Sequence, residues 1–128
     1  MNTRVLIAED EPDILLVARA ALKRAGLDVV TAVNGLAALA QVERDPPALI
    51  VLDCMMPELD GFETCARLKA NPQTRRIPVV FLTAKADAGV RDRCMTLGAV
   101  GCIAKPFDPL RLGDAVKLFL RDTSAMTK

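Results

Sequence analysis

Residues 49–61 read LIVLDCMMPELDG. An unbroken apolar run, Leu49–Leu52, delivers one carboxylate, Asp53, and stops at a turn rich in Met, Pro, Asp and Gly. An apolar run of this length, bounded by turn signals, suits a strand buried on both faces. Open sheets covered by helices place their ligands at the carboxyl edge of the strands. Asp53 is predicted to stand at such an edge, as a candidate nucleophile.

Outward from that stretch, strand-like runs alternate with helical patterns five times, the signature of a parallel sheet with helices on both faces. The first strand, Arg4–Ala8, ends at Glu9-Asp10. A helix follows with Pro12 in its first turn, where the missing N–H is harmless. Its period places Ile14, Val17, Ala18, Ala21, Leu22 and Ala25 inward, and Gly26 supplies a C-cap. The second strand is Asp28–Ala32. Asn34 caps a second helix expected to turn Leu36, Leu39 and Ala40 inward and to end before Asp45-Pro46-Pro47. Beyond the quoted stretch, Asp60 with Glu63 resembles a capping box for a third helix burying Phe62, Cys65 and Ala66, which ends near Asn71-Pro72. Val79–Leu82 is the fourth strand, ending at Thr83-Ala84. A less regular fourth helix holds Val90, Cys94 and Leu97 and stops at Gly98. The fifth strand, Gly101–Ala104, ends at Lys105-Pro106. Asp108 then caps a helix with Pro109 in its first position. Leu112, Ala115, Val116 and Phe119 share one face of it. The tail from Asp122 has no apolar face and is expected to fray. The expected organisation is one (βα)5 domain over residues 1–122, with a polar tail at 123–128.

A length of 128 residues with 52% hydrophobic content fits one domain with a sizeable core. The net charge of +1 gives no electrostatic case for nucleic acid or membrane. Apolar runs are too short to span a bilayer, and MNTRVLIAEDE lacks a signal-peptide pattern. The four cysteines, Cys54, Cys65, Cys94 and Cys102, form no C-x-x-C pair and read as buried free thiols in a reducing cytoplasm. With no histidine in the chain, His-based catalysis and His metal sites are excluded.

Polar groups with chemical potential fall at four of the five strand ends: Glu9-Asp10, Asp53, Thr83 and Lys105. A parallel sheet brings those ends to one edge. Three carboxylates held together repel one another, and a divalent cation relieves that repulsion. Oxygen-only donors favour a hard ion, and Mg²⁺ typically takes one or two carboxylates and engages phosphate. Lys105 adds a compact positive charge and Thr83 a hydroxyl, which together describe a pocket for a phosphoryl group. A carboxylate can be the acceptor. Singly, Asp53 is more often a turn carboxylate, Glu9-Asp10 a helix-dipole partner and Lys105 a solvated side chain. Their joint placement at one edge favours the site.

The chain from Arg4 to about Arg121 resembles the receiver domain of two-component response regulators, in its single-domain, chemotaxis-like form. The residues that carry the resemblance are Glu9-Asp10, Asp53 within DCMMPELDG, Thr83-Ala84 and Lys105-Pro106-Phe107. The resemblance implies a flavodoxin-like fold with strand order 2-1-3-4-5. It implies that Asp53 accepts a phosphoryl group from a phosphohistidine of a sensor histidine kinase or histidine phosphotransfer protein. Mg²⁺ would be bound by Asp10, Asp53 and the backbone carbonyl of Met55, with Glu9 acting through water. Lys105 would contact the phosphoryl oxygens, and its bond to Pro106 would be cis. Thr83 would move to hydrogen-bond the phosphorylated form.

Two features modulate that pattern. The position three before Lys105 usually carries an aromatic ring that swings inward; here it is Cys102, a small thiol without that leverage. The residues two after the acceptor and two after the threonine influence phosphoryl lifetime in the family. Here they are Met55 and Lys85, which are expected to obstruct attacking water and slow self-hydrolysis. The expected role is a cytoplasmic signalling switch, monomeric or dimerising on phosphorylation, with an unidentified downstream protein target and no contact with nucleic acid or membrane. It is expected to catalyse its own phosphorylation and slow dephosphorylation without being a metabolic enzyme. Two other readings are a docking module that is never phosphorylated and a phosphatase with an Asp nucleophile. The latter commonly needs a second Asp where Met55 stands. The start at Met1 and the short tail favour a stand-alone protein over a receiver cut from a longer regulator. Arg75, Arg76, Lys85, Arg91 and Arg93 read as a solvated face, and Met55-Met56 as loop packing.

Overall fold

A computed structural model describes residues 3–84 and 87–126. Five strands, β1 (Arg4–Ala8), β2 (Asp28–Ala32), β3 (Leu49–Asp53), β4 (Val79–Thr83) and β5 (Gly101–Ala104), form one sheet in the order β2-β1-β3-β4-β5. Every neighbouring pair is parallel. Five helices connect and follow them: α1 (Pro12–Arg24), α2 (Gly35–Arg44), α3 (Gly61–Ala70), α4 (Ala88–Thr96) and α5 (Pro109–Met126). The flavodoxin-like (βα)5 architecture expected from the sequence is thus the observed one.

Alternation along the strands divides the core into two layers, because successive side chains point to opposite faces. Val5, Ile7, Leu49, Val51, Val80 and Leu82 pack with Ala18, Ala21 and Leu22 of α1 and Leu112 and Val116 of α5. Leu6, Ala8, Ile50, Leu52, Val79 and Phe81 pack on the other face with residues of α2, α3 and α4. β3 and β4 are buried along their whole length, which is why both read as continuous apolar runs.

Helix starts follow local chemistry. Asn34 Oδ1 accepts from Ala37 N at 2.7 Å, Asp60 Oδ1 from Glu63 N at 2.8 Å, and Asp87 Oδ1 from Val90 N at 2.9 Å. The capping box at α3 is half formed, because the Glu63 carboxylate pairs with Arg67. Gly26 and Gly98, at φ of +90° and +95°, end α1 and α4 in the left-handed region. At the amino edge of the sheet, Arg4 bridges Asp28 and Asp45.

Three inward-facing assignments need correction. Val17 is 43% exposed, and Leu15 packs against the core on α1. Ile14 and Val17 instead line a surface pocket of about 250 Å³ with Pro106 and Phe107. On α2, Leu36 and Ala40 are exposed while Gly35, Ala38 and Val42 are buried. A Cβ at Gly35 would collide with Thr64 Oγ1 and Leu59 O, so α2 lies tightly against its neighbours through its small residues, which turns Leu36 outward. At the carboxyl end, α5 stays helical through Met126, past the point where its apolar face ends. Met56 is buried as loop packing, whereas Met55 is 73% exposed.

Candidate functional site

The carboxyl edge gathers Glu9, Asp10, Asp53, Thr83 and Lys105 from the ends of β1, β3, β4 and β5. Parallel pairing fixes their relative heights: Cys54 N donates to Leu82 O at 3.0 Å and Lys105 N to Thr83 O at 2.8 Å. Glu9 is fully buried, and Asp53 and Thr83 are nearly so. Lys105 Nζ lies 2.7 Å from Glu9 Oε1 and 3.1 Å from Asp53 Oδ2. Asp53 Oδ1 accepts from Met55 N at 3.3 Å, and Glu9 Oε2 from Glu11 N at 3.2 Å. The Lys105–Pro106 bond is cis. Gly61 N donates to Cys54 O at 3.0 Å, tying the start of α3 to the loop that follows Asp53.

Burial dominates the Glu9 carboxyl and pushes its pKa up; Asp53 adds to that rise, and Lys105 and the Glu11 N–H oppose it without prevailing. For Lys105, burial works downward, but hydrogen bonds and charge from Glu9 and Asp53 outweigh it and hold the ammonium above its ordinary range. Lys105 is therefore a firmly protonated cation inside an acidic pocket.

Glu9, Asp10 and Asp53 each place a carboxylate oxygen within 4.8 Å of the others. Glu9 Oε1 is buried, and its close partner is the Lys105 ammonium at 2.7 Å. Acidic oxygen donors, those of Glu9 and Asp53 buried, fit a hard divalent cation such as Mg²⁺. No described residue adds a nitrogen or sulfur donor to the cluster.

The sequence and the fold are matched by known proteins. The profile of the response regulator receiver domain matches residues 5–117. The chain belongs to the response regulator receiver family. It is 40% identical over 121 residues to the alkaline phosphatase synthesis transcriptional regulatory protein PhoP of Bacillus subtilis, covering 94% of this chain and 50% of that protein. Protein PilG of Pseudomonas aeruginosa is 35% identical over 114 residues, covering 89% of this chain and 84% of PilG. Among solved structures, a putative response regulator from Chloroflexus aurantiacus superposes with a TM-score of 0.89 at 30% identity, covering 94% and 99% of the two chains. The chemotaxis response regulator CheY4 of Vibrio cholerae gives 0.87 at 28% identity, covering 92% and 98%. The chain spans half the length of PhoP and 27% of the response regulator PleD of Caulobacter vibrioides, to which it is 39% identical.

Receiver domains are phospho-accepting signalling switches of two-component systems. They bind Mg²⁺ at an acidic pocket and interact with sensor kinases or phosphotransfer proteins and with downstream targets. Of the residues singled out in the sequence, Ala84 is exposed just beyond Thr83, and Cys102 is half-buried against the α2–α3–α4 layer. Lys85 lies outside the described residues. Among the described residues, no helix is long and apolar enough to cross a membrane. Arg93 is exposed, as expected of a solvated face, but its guanidinium carbon also sits 3.9 Å from the centroid of the Phe62 ring, a contact the sequence reading did not foresee. No spacing rule links those positions; only the close approach of α3 and α4 does.

Proposed function

We propose that Asp53 is the phosphoryl acceptor of this receiver. The observation that supports it best is the largely covered Lys105 ammonium, which reaches both Glu9 and Asp53 at the carboxyl edge. An Asp53 carboxylate oxygen attacks the phosphorus of a phosphohistidine on a sensor histidine kinase or histidine phosphotransfer protein. The P–O bond forms as the P–N bond breaks, and the imidazole of the donor leaves. Asp10, Asp53 and the Met55 carbonyl would hold Mg²⁺, with Glu9 acting through water, and the ion would supply charge neutralisation for the phosphoryl group. Lys105 pairs with those oxygens by charge, and the Thr83 hydroxyl donates to them once Asp53 is modified. Ala84, Lys85, Cys102 and Pro106 modulate the response around that centre.

The domain occupies residues 1–122 and works in the cytoplasm as a switch rather than a metabolic enzyme. It acts as a monomer or a phosphorylation-dependent dimer, handing its state to a downstream protein without touching nucleic acid or membrane itself. Incubation with Mg²⁺ and acetyl phosphate, followed by intact-mass measurement, tests the reading. Wild type is expected to gain one phosphoryl group and Asp53→Asn none. Absence of the gain in wild type refutes the assignment.

A further inference from the structure

At the amino edge of the sheet, where α3 returns and the chain turns towards β4, a second lysine has surroundings unlike those of Lys105. Lys69 Nζ donates to Arg75 O at 3.0 Å and to Ile77 O at 2.8 Å, the first bond exposed and the second partly buried. Thr74 Oγ1 donates to Leu68 O at 2.7 Å, which closes this loop onto the end of α3 and fixes the two carbonyls beside the amine. The Lys69 stem lies over Gly98, where a Cβ would meet its Cγ, Cδ and Cε at 3.5–3.6 Å. Among the described residues, no carboxylate pairs with it.

Two neutral acceptors and no carboxylate suit an amine better than an ammonium. An ammonium has three N–H donors and no lone pair, and losing one proton leaves two donors and a lone pair. With both N–H groups on Arg75 O and Ile77 O, that lone pair faces away from the loop. Burial holds Lys69 below its ordinary range, whereas Lys105, between Glu9 and Asp53, is held above it. Arg75 and Arg76, both exposed on the same loop, add positive charge that disfavours a further cation and draws anions. Cys65, one turn earlier on α3, faces Lys69 as a thiol that burial keeps protonated. Desolvation and neighbouring cations are the two means by which a lysine amine becomes a nucleophile.

We propose that Lys69 is an acylation site for acyl phosphates, small anionic mixed anhydrides of which acetyl phosphate is the simplest probe. The Nζ lone pair attacks the acyl carbon, and the C–N bond forms as the C–O bond to phosphate breaks. Phosphate leaves with the electron pair, and one Nζ proton passes to solvent. The amide product is uncharged and keeps a single N–H, so one of Arg75 O and Ile77 O loses its donor and the loop into β4 is loosened. Chemistry at Lys69 is independent of the phosphoryl-acceptor reading of Asp53, because the one reagent marks the two residues through different bonds.

The full chain is incubated with acetyl phosphate at mildly alkaline pH without Mg²⁺, and acetyl groups are mapped by peptide mass spectrometry. Lys69 is expected to label several-fold faster than the exposed Lys23 and Lys117, and the excess is expected to vanish in urea. Labelling no faster than at those two, or an excess that survives in urea, overturns the proposal. This comparison is made within the wild-type chain and does not depend on the folding of any variant. Arg75→Gln with Arg76→Gln is expected to slow labelling of Lys69, and an unchanged rate overturns the choice of an anionic donor. Addition of Mg²⁺ is expected to add a phosphoryl mass at Asp53. Its absence beside an acetylated Lys69 overturns the phosphoryl-acceptor reading alone.

Discussion

Gly61 and Asp53 touch backbone to backbone: a Cβ on Gly61 would collide with the main-chain oxygen of Asp53. The first residue of α3 thus clamps the end of β3. Gly61→Ala is expected to cost about 1–3 kcal/mol of stability through overpacking and to slow phosphoryl uptake at Asp53. Gly89 offers the contrast, since a Cβ there meets only Asp87 Oδ1 at 3.5 Å. Gly89→Ala is expected to gain roughly 0.5 kcal/mol, because Ala loses less backbone freedom in a helix. Urea unfolding and acetyl phosphate kinetics on both variants check the pair.

Lys105 competes with any cation for Glu9 and Asp53. Removing its charge in Lys105→Met is expected to raise Mg²⁺ affinity several-fold, about 1 kcal/mol for charges a few ångströms apart at a water-like dielectric. The same change is expected to lower the rate of phosphorylation from acetyl phosphate by tenfold or more, on the order of the charge stabilisation lost. Calorimetric Mg²⁺ titration and mass kinetics move in opposite directions if Lys105 has this role.

Cys65 gives a stability signal at alkaline pH. Burial raises its thiol above the ordinary value of 9.0, and its sulfur donates to Leu97 O at 3.7 Å. A folded-state pKa above the unfolded one means that the native state holds the proton longer. The stability it contributes is fully present below pH 9.0 and is lost as pH rises through the folded value. Nearby Lys69, lowered by burial, acts with the opposite sign as pH climbs towards 10.5. Cys65→Ser keeps a donor but does not ionise, so its unfolding free energy between pH 9 and 11 is expected to fall less steeply, by up to about 1.4 kcal/mol per pH unit. Urea titrations of both proteins across that range give the comparison.

Met55 is largely exposed beside the acceptor, with its N–H on Asp53 Oδ1. Replacing Met55 and Lys85 together, as Met55→Asn with Lys85→Glu, is expected to shorten the lifetime of the phosphorylated protein several-fold, a barrier change of about 1 kcal/mol. Loss of the phosphoryl mass over time is the measurement, and an unchanged decay overturns the expectation.

Strand identity was legible because β3 and β4 are buried on both faces, leaving no polar residue to interrupt Leu49–Leu52 or Val79–Leu82. Glu9, Asp10, Asp53, Thr83 and Lys105 were legible because parallel topology turns sequence positions at strand ends into neighbours. Helix phase was less so. On α2 the larger side chains suggested an inward Leu36, yet close approach at Gly35 selected the face of Gly35, Ala38 and Val42. The small-residue spacing itself was the available signal. On α1 there are more apolar residues than the core accepts, and Val17 is left beside Pro106 and Phe107. The contact of Arg93 with Phe62 and the packing of Cys54, Cys94 and Cys102 in one core layer arise from how α3, α4 and β5 meet, which periodicity along any one segment does not encode.

The burial gradient across the sheet separates two timescales. β1, β3 and β4 are buried almost throughout, whereas β2 and β5 at the margins are only partly covered. In hydrogen exchange, the central strands are expected to open only with global unfolding and the margins at lower free energy. Asp53 sits at the end of the central strand β3, among the segments that yield last. The outer edge can breathe many times without releasing Asp53, the proposed phosphoryl acceptor.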